Sequence, residues 1–148
     1  MQAVLRAEKA RLQVGALPLR FSADGTAEIL LVTTRTTKRW TIPKGWPIKG
    51  LKAHEAAARE AQEEAGVRGK VRKKSIGKYL YWKRIADDDV LCRVKVFQLI
   101  VEQRLEDWPE RDERRQQWFR LGDAADLAGE AGLSALLRSL EVTGHERG

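Results

Sequence analysis

The chain has 148 residues, 43% of them hydrophobic and 33% charged, a balance that excludes a disordered or fibrous polypeptide. One domain spanning 1–148 is the expectation, and a domain of this size folds without disulfides or a structural metal. A net charge of +7 points to an anionic partner, either nucleic acid or a phosphorylated metabolite, although an excess that merely aids solubility fits the composition as well.

The longest apolar stretch, Val94–Val101, is interrupted by Lys95 and Gln98 and is too short to span a bilayer. The first ten residues lack the apolar core of a signal peptide, and the single Cys92 permits no intramolecular disulfide. No membrane contact and a cytoplasmic location are therefore expected.

Taken in chain order, Arg11–Phe21 and Glu28–Thr34 read as strands joined by a turn at Asp24-Gly25. The continuous apolar run Ile29–Val32 suits a strand buried on both faces. Trp40–Ile42 is a short strand stopped by Pro43, and Gly45–Gly50, with two glycines and Pro47, is a loop. Lys52–Ala65 is an alanine-rich helix with Gly66 in the position of a C-cap. Val71–Ile85 and Val90–Glu102 are long strand-like runs on either side of Asp87-Asp88-Asp89. The charged segment Gln103–Gln116 reads as an exposed loop and Trp118-Phe119 as a short strand. Asp123–Leu127 and Glu130–Glu141 read as helices, the second with Leu133, Leu136, Leu137 and Leu140 on one face. This order implies a mixed sheet with helices packed on its faces.

Chemistry concentrates in the alanine-rich helix. At about 100° per residue, Glu60, Glu63 and Glu64 share one face. Three clustered carboxylates repel one another unless a cation neutralises them, and a hard divalent ion held through oxygens is the simplest use of such a cluster. A solvated face of good helix formers is the competing reading, and the three residues alone leave both open. No P-loop, zinc spacing or serine-nucleophile motif competes for the chemistry.

Spacing adds a resemblance. Gly45, Arg59-Glu60-Ala61, Glu63-Glu64 and Gly66-Val67 stand in the register of the Nudix box: Gly, five residues, Glu, seven residues, then Arg-Glu-U-x-Glu-Glu-x-Gly-U, where U is aliphatic. Trp40–Gly45 is similar to the strand and turn that precede that box, and Trp118-Phe119 followed by Asp123 to the family's late tryptophan strand and short helix. The resemblance implies an α/β/α sandwich with a catalytic loop-helix-loop and a Mg²⁺-dependent, or Mn²⁺-dependent, hydrolase of phosphoanhydrides. It implies Glu60, Glu63, Glu64 and the carbonyl of Lys44 as metal ligands. Glu63 is also the implied general base, and Arg59 the residue that orients the carboxylates. Gly45 belongs to the loop that faces the ion.

Two positions depart from the pattern. The first Glu of the box is Leu51, so Arg59 lacks its usual partner, which Glu55, one turn earlier, could replace. Gln116-Gln117 stand where many relatives have a Glu, so a base outside the box has to come from Glu102–Glu113.

Arg35, Lys38, Arg39 and Lys44 gather before the box, which resembles the diphosphoinositol polyphosphate and diadenosine polyphosphate branch. These four and Gly45 are the expected substrate contacts, the substrate being a highly phosphorylated small molecule. Lys78, Lys83, Arg84 and Arg93 extend the basic patch if strand register allows, and Trp46 and Trp82 read as core residues first, with a rim position or stacking on a base as the alternatives. The alternatives are a (d)NTP or nucleotide-sugar pyrophosphatase, and a nucleotide- or RNA-binding module of the same fold with weak activity. Nucleic acid ranks low because no aromatic-rich RNA motif is present, and an oligomer stays open.

Overall fold

The computed structural model describes the backbone of residues 9–147 and the side chains of 9–140. Residues 1–8, on which the signal-peptide expectation rests, lie outside it. Strands β1 (Arg11–Phe21) and β2 (Ala27–Thr33) form the expected hairpin. Its turn is closed by Asp24, whose Oδ1 accepts from the Ser22 hydroxyl at 2.5 Å and the Thr26 N–H at 2.9 Å. Gly25 supplies the positive φ of 83° that this turn requires.

β1 is the centre of the sheet. It pairs antiparallel with β2 through Leu19–Phe21, and parallel with β7 (Asp88–Arg104) along Arg11–Leu19. β5 (Val67–Val71) and β6 (Gly77–Ile85) both pair with β7, and β8 (Gln116–Arg120) pairs with β2. Between them run the two-residue strands β3 (Trp40–Thr41), on β2, and β4 (Lys44–Gly45), on β1. The chain therefore crosses from β2 to β1 through Pro43, whose carbonyl accepts from the Ala16 N–H at 3.0 Å. That crossing sets the backbone of Lys44 and Gly45 against the sheet.

Alternation divides the core into two layers. On one face Leu17, Leu19, Ile29, Leu31, Val94 and Val96 meet Ala124 and Ala125 of α2 (Leu121–Leu127) and Leu133 and Leu137 of α3 (Ala131–Arg147). On the other, Val14, Ala16, Leu30, Val32, Phe97 and Leu99 meet Ala56, Ala57, Ala61 and Ala65 of α1 (Ala53–Ala65). An alanine face brings a helix axis nearer a sheet than a leucine face does. α1 ends at Gly66, whose φ of 66° is the left-handed cap conformation expected there.

Two expectations change. The run Val71–Ile85 is two strands, because both pair with one edge of β7: Val71 faces Leu99, and Gly77 resumes at Val96. The exposed Arg72–Lys74 carry the chain between them. The Trp118-Phe119 strand is longer, since five residues of β8 pair with β2.

Leu51 is half-buried against the α1-side core, and Glu55 accepts from the Lys52 N–H at 2.8 Å, so this acid caps α1 and does not pair with Arg59. Leu51→Glu should therefore cost about 1–3 kcal/mol by pushing a charge into packed apolar groups. Thermal melting checks the loss, and a rise in Mg²⁺ affinity without a fall in Tm would show that Leu51 marks a lost support for Arg59.

Candidate active site

On α1, Glu60 and Glu64 flank the alanine stripe one turn apart, so they reach the end of the sheet where β4 lies. A Cβ on Gly45 would stand 2.5 Å from the Glu60 carboxyl carbon, so glycine is what makes room for that carboxylate. The Lys44 N–H donates to Glu64 Oε1 at 3.3 Å. Glu64 is 6% exposed, and burial pushes its carboxyl up to about 8, opposed by Arg114 and Lys44. Glu60 is raised by burial first and then by the charge of Glu63. The two carboxyl groups stand within reach of each other, and burial disfavours a negative charge on both.

A partner absent from the sequence reading is Arg114. Its Nε donates to Glu110 Oε1 at 2.8 Å, one Nη to the Thr33 carbonyl at 3.0 Å, and the other lies 3.7 Å from Glu64 Oε2. Glu110 thus enters the acidic corner from the β7–β8 segment, and its charge raises Glu60 and Glu64 further. The sequence named this segment as the source of an outside acid without identifying the residue. For Arg114 it held no signal.

Behind the corner lies a second buried pair. Lys44 Nζ is 3.1 Å from Glu130 Oε2, donates to Thr41 Oγ1 at 2.7 Å and sits 4.7 Å from the centre of the Tyr81 ring. Thr41 and Tyr79 donate their hydroxyls to Glu130 Oε1, each at 3.0 Å. Burial lowers the Lys44 pKa and Glu130 opposes the shift. Tyr81 donates to Gln13 Oε1 at 2.5 Å.

Glu64 and the Lys44–Glu130 pair line one cleft of about 360 Å³. Arg35, Arg39, Lys44, Lys83, Arg84 and Arg114 line it, together with Glu64, Glu130 and Trp82. Of the expected substrate contacts, Arg35, Arg39 and Lys44 line this cleft. Lys38 is not among the lining residues: it is exposed in the turn closed by Thr34 and Arg39, with a positive φ of 57°. Gly45 lies beneath Glu60. Register sends Lys78 and Arg93 to the α1 side of the sheet, while Lys83 and Arg84 reach the cleft. Trp46 and Trp82 are not core residues; they are 38% and 52% exposed, Trp46 lying under the Arg11 guanidinium at 5.1 Å.

The acidic trio is only partly assembled. Among the described residues no three acidic, histidine or cysteine side chains converge to enclose a metal ion. Glu60 and Glu64 meet, while Glu63 stands half-buried at their flank. Two carboxylates nevertheless fit Mg²⁺, which takes one or two from protein and completes its shell with water and substrate phosphate. Arg59 does not orient them. One residue before Glu60, it is turned about 100° away, is exposed, and pairs with no described residue. The guanidinium that lies beside Glu64 is that of Arg114.

The NUDIX domain model matches residues 10–140. The chain belongs to the Nudix hydrolase family. It is 31% identical to Nudix hydrolase 16, mitochondrial, of Arabidopsis thaliana over 78% of this chain and 71% of that one. To Nudix hydrolase 21, chloroplastic, of the same plant it is 36% identical over 79% of this chain and 59% of that one. The mouse diphosphoinositol polyphosphate phosphohydrolase 3-alpha is 36% identical over 72% and 63%. The match thus spans between about three-fifths and seven-tenths of these relatives' lengths. Among solved structures, a Caenorhabditis elegans Ap4A hydrolase binary complex superposes with a TM-score of 0.68 at 22% identity, covering 93% of this chain and 99% of that one. The α/β/α Nudix fold expected from the sequence is thereby shown.

The raised Glu64 carboxyl has a pH signature. Its folded pKa of about 8 exceeds the ordinary 4.5, so its contribution to stability is full below that ordinary value and is lost as pH rises through 8. The metal-free protein should lose Tm between pH 5 and 8.5 more steeply than Glu64→Gln does. Mn²⁺ affinity measured by calorimetry should climb by up to about tenfold per pH unit towards pH 8, with proton release. Superimposable pH profiles for the two proteins would assign the raised pKa to another group.

Proposed function

We propose that this chain hydrolyses a phosphoanhydride bond in a highly phosphorylated small molecule, a diphosphoinositol polyphosphate or a dinucleoside polyphosphate. The observation that carries this reading is the cleft, whose lining brings Arg35, Arg39, Lys83 and Arg84 together with Glu64. Glu60 and Glu64 are the residues that would hold Mg²⁺ or Mn²⁺. When bound, the ion neutralises phosphate oxygens and acidifies water.

The chain's own groups supply the rest. Arg35 and Arg39 line the outer cleft, where their planar guanidinium groups suit phosphate oxygens. Arg114 holds Glu64 and Glu110 in register, and Lys44 fixes Glu64 through its backbone while Glu130 draws its side chain back. Glu63, beside the pair and in no hydrogen bond through its carboxylate among the described residues, is the proposed proton acceptor, and Glu110 is the second choice. A mouse relative is named for diphosphoinositol polyphosphates and a structural neighbour for Ap4A, which supports this substrate class. The single cysteine keeps a reducing cytoplasm as the proposed location.

One observation favours a second reading. Trp82 lines the cleft and is half exposed, so a nucleobase has a surface to stack on, as a (d)NTP or nucleotide sugar requires. A binding module without activity is less well supported, because Leu51 is taken up by the core and leaves the acid pair intact.

Four substrates decide between these: a diphosphoinositol polyphosphate, diadenosine tetraphosphate, a dNTP and ADP-ribose, each with Mg²⁺. The first two should show the higher kcat/KM, and Glu64→Gln should cut turnover by roughly a hundredfold or more while the fold persists. Arg35→Ala should raise KM chiefly for these two and flatten the salt dependence. A preference for dNTPs disturbed by Trp82→Ala and not by Arg35→Ala would transfer the assignment to base recognition.

A further inference from the structure

The β7–β8 segment is charged and loop-like, yet it carries a tryptophan, and that residue is set into the end of the glutamate helix. The Trp108 indole lies across Gly66, so close that a Cβ there would overlap its ring. Its Nε1–H is buried with no partner among the described residues. A buried unpaired donor opposes folding, so hydrogen bonding does not account for tryptophan here. What the ring supplies is a flat apolar surface against the one residue type that admits it.

Around that contact the segment is bonded to the same helix end. The Leu105 N–H donates to the Gly66 carbonyl at 2.8 Å, and the Glu110 N–H donates to the Glu63 carbonyl at 3.1 Å. Beyond these anchors the chain delivers Glu110 and Arg114 to Glu64. A second tether fixes the far end: the Arg115 N–H donates to Thr33 Oγ1 at 3.0 Å, and the Thr33 N–H to the Arg115 carbonyl at 3.0 Å. The Arg114 guanidinium therefore sits in a span held at Gly66 by Trp108 and at β2 by Thr33.

We propose that Trp108 is a positioning residue: seated on Gly66, it sets the register between the glutamate helix and the segment that brings Glu110 and Arg114 to Glu64. The inference rests on the reading of Glu60 and Glu64 as the cation site. Misplacing a charged group by about 1 Å at such a site costs up to roughly a hundredfold in turnover, so a contact that makes no approach to substrate still governs the rate.

The test is a double-mutant cycle in the full-length chain, read by Mn²⁺ affinity without substrate and by kcat on the preferred phosphoanhydride. Trp108→Ala should lower kcat about 10- to 100-fold with KM within about threefold. It should also move Mn²⁺ affinity in the same direction as Arg114→Ala does. The combined variant should be no worse than Arg114→Ala alone, because the ring acts through that arginine. Trp108→Phe, which keeps a flat ring over Gly66, should recover most of the activity. If Trp108→Ala does not fold, Trp108→Leu carries the same cycle.

Losses that multiply in the double variant, or unchanged kcat and Mn²⁺ affinity in Trp108→Ala, would overturn the proposal. Glu64→Gln separates this failure from that of the site itself. Full activity there removes the cation site, whereas a dead Glu64→Gln beside an unaffected Trp108→Ala removes only the positioning role.

Discussion

Everything at the site follows from the close approach of an alanine-faced helix to the sheet. Ala57, Ala61 and Ala65 are fully buried, and Glu60 and Glu64 stand one position before Ala61 and Ala65 on the adjoining strip of α1. With larger residues in the stripe the helix would stand off, and neither carboxylate would reach the backbone of Lys44 and Gly45. Gly45 answers the same constraint from the sheet, since a Cβ there would make the Glu60 carboxylate shift from its place. The geometry thus forces two acids together, one buried and one half-buried. Their raised pKa values are the cost of that arrangement, and a divalent cation would relieve it.

The cleft is less positive than its roster of cations suggests. Lys44 is paired with Glu130, Arg114 with Glu64 and Glu110, Arg35 with Glu113 at 3.4 Å and Arg84 with Asp89 at 3.2 Å. The first two pairs are buried and serve architecture. The last two are exposed and weak, so a polyanionic ligand displaces their carboxylates at little cost. On the proposed function, phosphate recognition would fall to the rim, while the inner cations keep the acids and β4 in place. A simple count of basic residues before the box could not make this distinction.

What the sequence made legible was local. The hairpin, the helix and its cap, and the shared face of Glu60 and Glu64 follow from periodicity and turn chemistry within short windows. Its failures were contacts across long separations or between competing strands. Val71–Ile85 read as one run although Arg72, Lys73 and Lys74 interrupt its apolar residues, and the pairing of both halves with one edge of β7 shows the break. Trp82 read as core because tryptophan usually is, yet even-numbered positions of β6 face away from α2 and α3, beyond the cover of α1. Arg59 read as the carboxylates' support by resemblance, while the helix turns it to solvent.

Arg114 and Glu130 went unseen for another reason: Arg114 lies far along the chain from Glu64 and Glu130 far from Lys44, and the local i, i+4 pair of Glu110 and Arg114 does not show that it meets the glutamate helix. Trp108 did leave a signal. A lone tryptophan beside Pro109 in a stretch of Glu, Asp and Arg has no reason to be there if that stretch is only solvated. Such a residue marks a place where a polar segment is fastened to the body of the protein, and what it is fastened to is the helix of the glutamates. The Nudix box is therefore not the whole of the site. Its helix supplies Glu60 and Glu64, β4 supplies the backbone beneath them, and the segment after β7 supplies their counter-charge. The glycine that ends the helix is also the seat on which that third part rests. Gly66 accordingly answers two demands with one residue: a left-handed φ that terminates α1, and a surface without Cβ that admits the indole. Terminating a helix requires only the first, and many C-caps tolerate asparagine. Here the second demand leaves glycine as the only residue that fits.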